Sequence, residues 1–166
     1  WEEEAHGPLF RLLQHHREQG KTMLTHLGLD KDAWFVPLHV RDQSLGKLGA
    51  TTNPDPESTT RDADIETYDL LIEEVARRGG WVVRMGDVSQ KPAKKHPNLI
   101  DLVHTQRPDW LDLYLVAEGR FLICGSSGPN AYPTFLGRKA LFVNVSPMNG
   151  FPLGSNDLFI PKLLWS

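Results

Sequence analysis

Two short stretches hold residue types that bind anions. FVPLHVRDQ, Phe35 to Gln43, reads as a buried strand that ends in His39, Arg41 and Asp42, and GSSGPNA, Gly125 to Ala131, directly follows the strand-like RFLICG. Alternate side chains of an extended strand share a face, so His39 and Arg41 would reach one crevice while Val40 points away. The guanidinium of Arg41 can fork onto a phosphate or carboxylate. In GSSG the small residues let backbone come close to a ligand and Ser126 and Ser127 offer hydroxyls. A helix beginning near Gly128 or Pro129 would aim free amides at an anion. A third polar pair, Gly86-Asp87, closes the strand-like WVVRM.

Each of these residues also has a plainer reading. Arg41 could form a structural ion pair with Asp42 or Asp62, and Ser126 and Ser127 could simply cap the following helix. Asp87 fits a turn, Asp112 fits a first-turn helix charge, and His39 is either a satisfied core histidine or a site residue. The case for a site rests on their conjunction. GSSG lacks the Gly-Lys-Ser/Thr ending of the nucleotide loop and the glycine spacing of the dinucleotide fingerprint. No metal site is expected, since His15 and His16 are adjacent and no other His or carboxylate spacing fits a cage. The single cysteine, Cys124, excludes an internal disulfide and suits a buried, inert thiol.

The elements that would position these groups alternate. EEEAHGPLFRLLQHHREQG reads as a short amphipathic helix ended at Gly20, a possible linker. AWFVPLHV is a first strand, followed by a long polar segment from Arg41 to Asp62 whose length suggests a functional lid. DADIETYDLLIEEVARRGG puts Ile65, Tyr68, Leu71, Ile72, Val75 and Ala76 on one helical face, with Asp62 or Asp64 as cap and Gly79 or Gly80 as stop. WVVRMG and NLIDLV read as strands, PDWLDLYLVAEG as a helix capped by Asp109, RFLICG as a strand, SSGPNAYPTFLG as a short helix and KALFVNVS as a strand. Strands alternating with helices predict an α/β, Rossmann-like three-layer sandwich with a mostly parallel sheet and ligands at the carboxyl ends of its strands. Pro37 objects, because a proline cannot donate to the ladder of a central strand.

With 166 residues and 40% hydrophobic content the chain predicts one domain, organised as residues 1–30, a helical or linker segment, and residues 31–166, the Rossmann-like domain. It opens on Trp1, which suggests a processed chain or a piece of something longer. A net charge of −3 with scattered Lys and Arg gives no basic field for nucleic acid. No apolar run approaches the roughly 20 residues of a membrane span, and no signal peptide is visible. These features favour a cytoplasmic protein of small ligands.

LHVRD, RDADIETY, GGWVVRMGD, DWLDLYLVAEGRFLICGSSG and IPKL, in that order between Phe35 and Leu163, resemble the donor-binding half of a bacterial glycosyltransferase family distantly similar to the fucosyltransferases. The resemblance implies the C-terminal, nucleotide-sugar-binding domain of a GT-B fold, with no cofactor and no obligatory metal. It implies a nucleotide-diphosphate sugar as donor and a glycan or glycoconjugate acceptor held by an N-terminal domain absent from these residues. The expected setting is polysaccharide assembly in the cytoplasm, with room for peripheral contact at the inner face of the membrane. On that analogy Arg41 holds the donor diphosphate, Ser126, Ser127 and the Gly128 amide hold it from the other side, and Asp87 and Asp112 lie near the nucleoside. A leaving diphosphate develops charge that fixed donors must meet where magnesium is absent. Arg41, His39 and Asp42 are the catalytic candidates. Two other readings stay open: a nucleotide-sugar epimerase, and a nucleotide- or phosphate-binding module without turnover.

Overall fold

The computed structural model describes residues 7–42, 60–146, 154 and 156–163. Most of the expected lid, residues 43–59, lies outside them. The described chain runs α1 (Gln14–His26), β1 (Phe35–His39), a 3₁₀ turn (Ile65–Tyr68) leading into α2 (Asp69–Arg77), β2 (Trp81–Met85) and β3 (Leu99–Asp101). It continues with α3 (Trp110–Glu118), β4 (Leu122–Cys124), a 3₁₀ turn (Gly128–Ala131), α4 (Tyr132–Leu136), β5 (Ala140–Val145) and β6 (Leu158–Pro161).

All six strands are parallel, in the order β3-β2-β1-β4-β5-β6. Parallel strands must be covered on both faces, and β1 and β4 are buried along their whole length. On one face Phe35, Met85, Leu122 and Phe142 pack with Leu24 of α1 and Leu111, Tyr114 and Leu115 of α3. On the other, Val36, Leu38, Val82 and Ile123 pack with Ile65, Tyr68, Ile72 and Val75, the face expected of α2 and its lead-in. Asp64 does cap that lead-in, accepting from the Glu66 amide at 3.0 Å. Asp109 stands at the start of α3 but makes no side-chain capping bond.

Pro37 is accommodated in a central strand by a gap in one ladder. The Phe35 carbonyl accepts from the Arg120 amide at 2.8 Å. Phe35, and Pro37 two residues on, therefore present their hydrogen-bonding edge toward β4. Pairing with β4 begins only at Leu38↔Ile123, so the missing N–H falls before that ladder starts.

α1 does not stop at Gly20. It runs on to His26, and Gly20 is buried inside it. The reason is close approach rather than termination: a Cβ there would lie 2.5 Å from the ring carbons of Tyr114 on α3. Gly20→Ala should gain about 1 kcal/mol of helix propensity but lose about 1–3 kcal/mol to overpacking against a buried ring. We expect a lower urea midpoint, restored in part by adding Tyr114→Leu. An unchanged or raised midpoint would show that α1 and α3 have room to separate.

Candidate functional site

The strand order reverses between β1 and β4, and in open parallel sheets the crevice outside that reversal is where ligands bind. His39 pairs in register with Cys124, so the segments after β1 and after β4 leave the sheet side by side. A cavity of about 450 Å³ opens at this end. His39 lines it, with Gly86, Asp87, Val88 and Gln90 after β2, Thr105 to Arg107, Asp109 and Asp112 at the entry to α3, and Pro129 after β4.

His39 forms part of the wall as an uncharged ring. It is 8% exposed, and its Nδ1 is enclosed without a hydrogen-bond partner. Burial first, then the charges of Arg84 and Arg41, hold its pKa down to about 4, against a smaller opposing pull from Asp42. At neutral pH it can therefore donate or accept a hydrogen bond, but it is a weak base.

Asp87 is a turn residue that also lines the cavity. Its Oδ1 accepts from the Ser89 hydroxyl at 2.6 Å and the Ser89 amide at 2.9 Å, and these bonds hold its carboxyl below the ordinary range. Asp112 is the first-turn acid of α3. Its Oδ1 lies 3.1 Å from both Nε and Nη2 of Arg107, yet burial outweighs that partner and pushes its pKa up.

Arg41 and Asp42 do not line this cavity with His39. Arg41 Nε donates to Asp62 Oδ1 at 3.1 Å, one of the two ion pairs its sequence allowed. Asp42 Oδ2 accepts from the Lys91 amide at 3.0 Å. After β4, Ser126 is buried and its Oγ accepts from the Ser146 amide at 3.0 Å. Ser127 makes no side-chain capping bond, and the space where a Cβ of Gly128 would stand is open. The helix expected at Gly128 is instead a four-residue 3₁₀ turn running into the five-residue α4. That is too short for the aligned dipole that makes a helix start attract anions.

Three side chains that shape the site are not apparent from the sequence patterns. Arg107 ties two loops together, donating to the Leu102 carbonyl and the Gly86 carbonyl at 2.8 Å each. Gln90 Nε2 donates to the Val40 carbonyl at 3.0 Å, which with the Lys91–Asp42 bond fastens the loop after β2 to the end of β1. Gly86 makes room for that glutamine, since a Cβ there would stand 1.9 Å from Gln90 Oε1. The third side chain is Arg84, fully buried in β2, whose Nη1 bonds Asp101 Oδ2 at 3.1 Å and the Lys91 carbonyl at 2.7 Å. An arginine inside an otherwise apolar strand was the available signal.

Three carboxylates and one guanidinium line the cavity, beside a neutral imidazole and a buried amide. That set suits a hydroxyl-rich, hydrogen-bond-donating group better than a phosphate. Among the described residues no group of three or more His, Cys, Asp or Glu side chains could hold a metal ion. Cys124 is buried, with burial pushing its thiol up to about 12.

No family model matches the chain, and no curated protein matches its sequence. Solved structures do match in shape. The glycosyl transferase family 9 structure from Veillonella parvula superposes with a TM-score of 0.63 at 13% identity, covering 92% of this chain and 42% of that one. The ADP-heptose lipopolysaccharide heptosyltransferase II of E. coli superposes with a TM-score of 0.62 at 15% identity, covering 91% of this chain and 44% of that one. The chain spans less than half the length of either. At such identity the likeness speaks to architecture alone: a Rossmann-like parallel sheet between helices, matching part of two GT-B glycosyltransferase structures.

Proposed function

We propose that this chain is the C-terminal, nucleotide-sugar-binding half of a glycosyltransferase, with the acceptor, a glycan or glycoconjugate, held by a second domain beyond these residues. The observation that carries the reading is the cavity at the β1/β4 reversal of a six-stranded parallel sheet. The nucleoside enters the cavity, where Asp87 and Asp112 meet ribose hydroxyls and His39 and Gln90 form the inner wall. The diphosphate lies toward the gap between β1 and β4, against Arg41, the Ser127 hydroxyl and the Gly128 amide. Ser126 supports that loop through its bond to Ser146.

No cofactor takes part in this reading. Fixed cationic and amide donors stabilise the leaving diphosphate. Burial leaves His39 weakly basic near neutral pH, and Asp42 is the other candidate for acceptor base. The resemblance to a fucosyltransferase-like family gives no further guide to the sugar, since the two matched structures carry other names. No described helix is long and apolar enough to cross a membrane.

The test is a thermal-shift panel of ADP, GDP, UDP and their sugars, with and without magnesium. Stabilisation follows the ratio of ligand concentration to dissociation constant, so a tenfold preference for one base appears as about 1.4 kcal/mol. We expect one base to stand out and magnesium to add little. A panel indistinguishable from buffer would remove the donor-binding reading. Turnover that appears only when a second domain is restored separates a transferase from a binding module.

A further inference from the structure

A single exposed aliphatic side chain is ordinary on a protein surface, but two of them stand where the wall around them is polar. Among the described residues that line the cavity at the β1/β4 reversal, only Val88 and Pro129 carry aliphatic side chains.

Val88 is 66% exposed, and the turn that carries it is fastened on both sides. The Gly86 carbonyl accepts from Arg107 Nη2 at 2.8 Å, and Asp87 Oδ1 accepts from the Ser89 amide at 2.9 Å. The Gln90 amide donates to the Asp87 carbonyl at 3.0 Å, closing a turn around Val88 and Ser89, while the Gln90 side chain holds the Val40 carbonyl. A loose loop could fold such a side chain against its neighbours, whereas a turn bonded at Gly86, Asp87 and Gln90 keeps it at the cavity wall. Pro129 is stiffened by its own ring. It opens the 3₁₀ turn in which the Asn130 amide donates to the Ser127 carbonyl at 3.0 Å.

The sheet sets the spacing of this pair. β1 lies between β2 and β4, and Met85, His39 and Cys124 stand level in the two ladders. The segments after β2 and β4 therefore leave the sheet on either side of His39, separated by two strand spacings, about 10 Å. A planar ring touched on both faces needs about 7–8 Å between the flanking carbons. Short side chains on backbones so far apart leave room for one ring and little more. Apolar contact on two faces with polar groups around the edge suits a nucleobase. A sugar in the same place would lose water from hydroxyls to which aliphatic carbons offer no hydrogen bond.

We propose that Val88 and Pro129 are the two cheeks of a nucleobase slot, with the ring held between them beside His39. The slot rests on the nucleoside-binding function proposed above. Face contact of this kind separates a base from a sugar and leaves the choice among bases to the polar groups at the ring's edge.

The experiment is isothermal titration of the chain and its Val88→Ser, Val88→Ile and Pro129→Ala variants with ADP, GDP, CDP and UDP, with the four matching nucleosides, and with ribose 5-phosphate, which lacks a base. Val88 is largely exposed, so its variants should fold as wild type does, which circular dichroism checks. Val88→Ser should weaken the nucleoside diphosphates that bind, and their nucleosides, about tenfold, the worth of roughly 55 Å² of apolar contact, and leave ribose 5-phosphate unchanged. Pro129→Ala should act in the same sense, and Val88→Ile should bind as wild type does. Nucleoside diphosphates that bind wild type, Val88→Ser and Pro129→Ala equally would overturn the slot and leave the donor reading standing. An equal loss for ribose 5-phosphate would also overturn it, since the turn would then be serving the whole cavity. A wild type that takes a nucleoside in a Val88-dependent way but refuses every nucleoside diphosphate sinks the donor reading and leaves the slot. Binding of no nucleoside and no nucleoside diphosphate removes both.

Discussion

Asp101→Ala should cost about 3–5 kcal/mol of folding stability, the range for stranding one member of a buried ion pair. Arg84 has no exposed surface, and its Nε and Nη2 have no hydrogen-bond partner, so Nη1 alone links it to a counter-charge. That counter-charge is Asp101 Oδ2, which also accepts from the Ala93 amide at 2.8 Å, while Oδ1 accepts from the Val103 amide at 3.2 Å. Removing the carboxylate leaves a fully buried guanidinium with the Lys91 carbonyl but no counter-charge, and orphans two amides. Replacing the charge as well should reverse most of this, so Arg84→Met added to Asp101→Ala should unfold at higher urea than Asp101→Ala alone. A single variant that loses less than about 1 kcal/mol would mean that water reaches Arg84.

The consequence extends to the site. Arg84 also holds the Lys91 carbonyl, and the Lys91 amide holds Asp42. The loop after β2 is therefore positioned from below by the ion pair and from the side by Gln90 on Val40. Loosening the pair should blur the cavity wall before the sheet itself melts.

The sheet was legible in the sequence because burial on both faces leaves strands such as WVVRM and RFLIC with apolar runs that few other elements tolerate. α2 was legible because its inward residues repeat at helical spacing and Asp64 marks its start. Gly20 misled because its usual meaning is a stop, whereas here it admits an aromatic ring from a helix distant in sequence. β6 was missed because its apolar run is only four residues long and ends in a proline, and it is exposed at the sheet edge with no alternation to mark a buried face.

The candidate site was legible as a place more than as a set of contacts. Its position followed from topology: the stretches after β1, β2 and β4 do gather at one sheet end, and His39, Asp87 and Asp112 line the same cavity. Strand alternation could not say that Arg41 turns to Asp62, because alternation ends where β1 ends, at His39. Nor could it reveal Arg107, whose role depends on two carbonyls supplied by other loops.

Acid should weaken this fold in a window set by His39. Its folded pKa is about 4 against an ordinary 6.5, because burial and the neighbouring Arg84 and Arg41 disfavour the imidazolium. As pH falls below 6.5 the unfolded chain takes up this proton while the folded chain does not, so stability declines until the folded ring also protonates near 4. The full loss is about 3 kcal/mol, at about 1.36 kcal/mol for each pH unit that separates the folded ring from the unfolded one. Other groups act elsewhere on the scale: Glu74, held down to about 2 by its bonds to Arg77 and Arg78, loses its contribution only between about 4.5 and 2. Asp112, raised by burial, acts in the opposite sense, since the folded chain takes up its proton first as pH falls. Urea midpoints measured from about pH 7 to about pH 4 should fall steeply in wild type and nearly flatten in His39→Gln, which has no proton to gain. A wild-type profile flat across that window would show that the ring is hydrated and charges freely. It would then line the cavity as an exposed imidazole able to serve as the acceptor base, the role that burial denies it here.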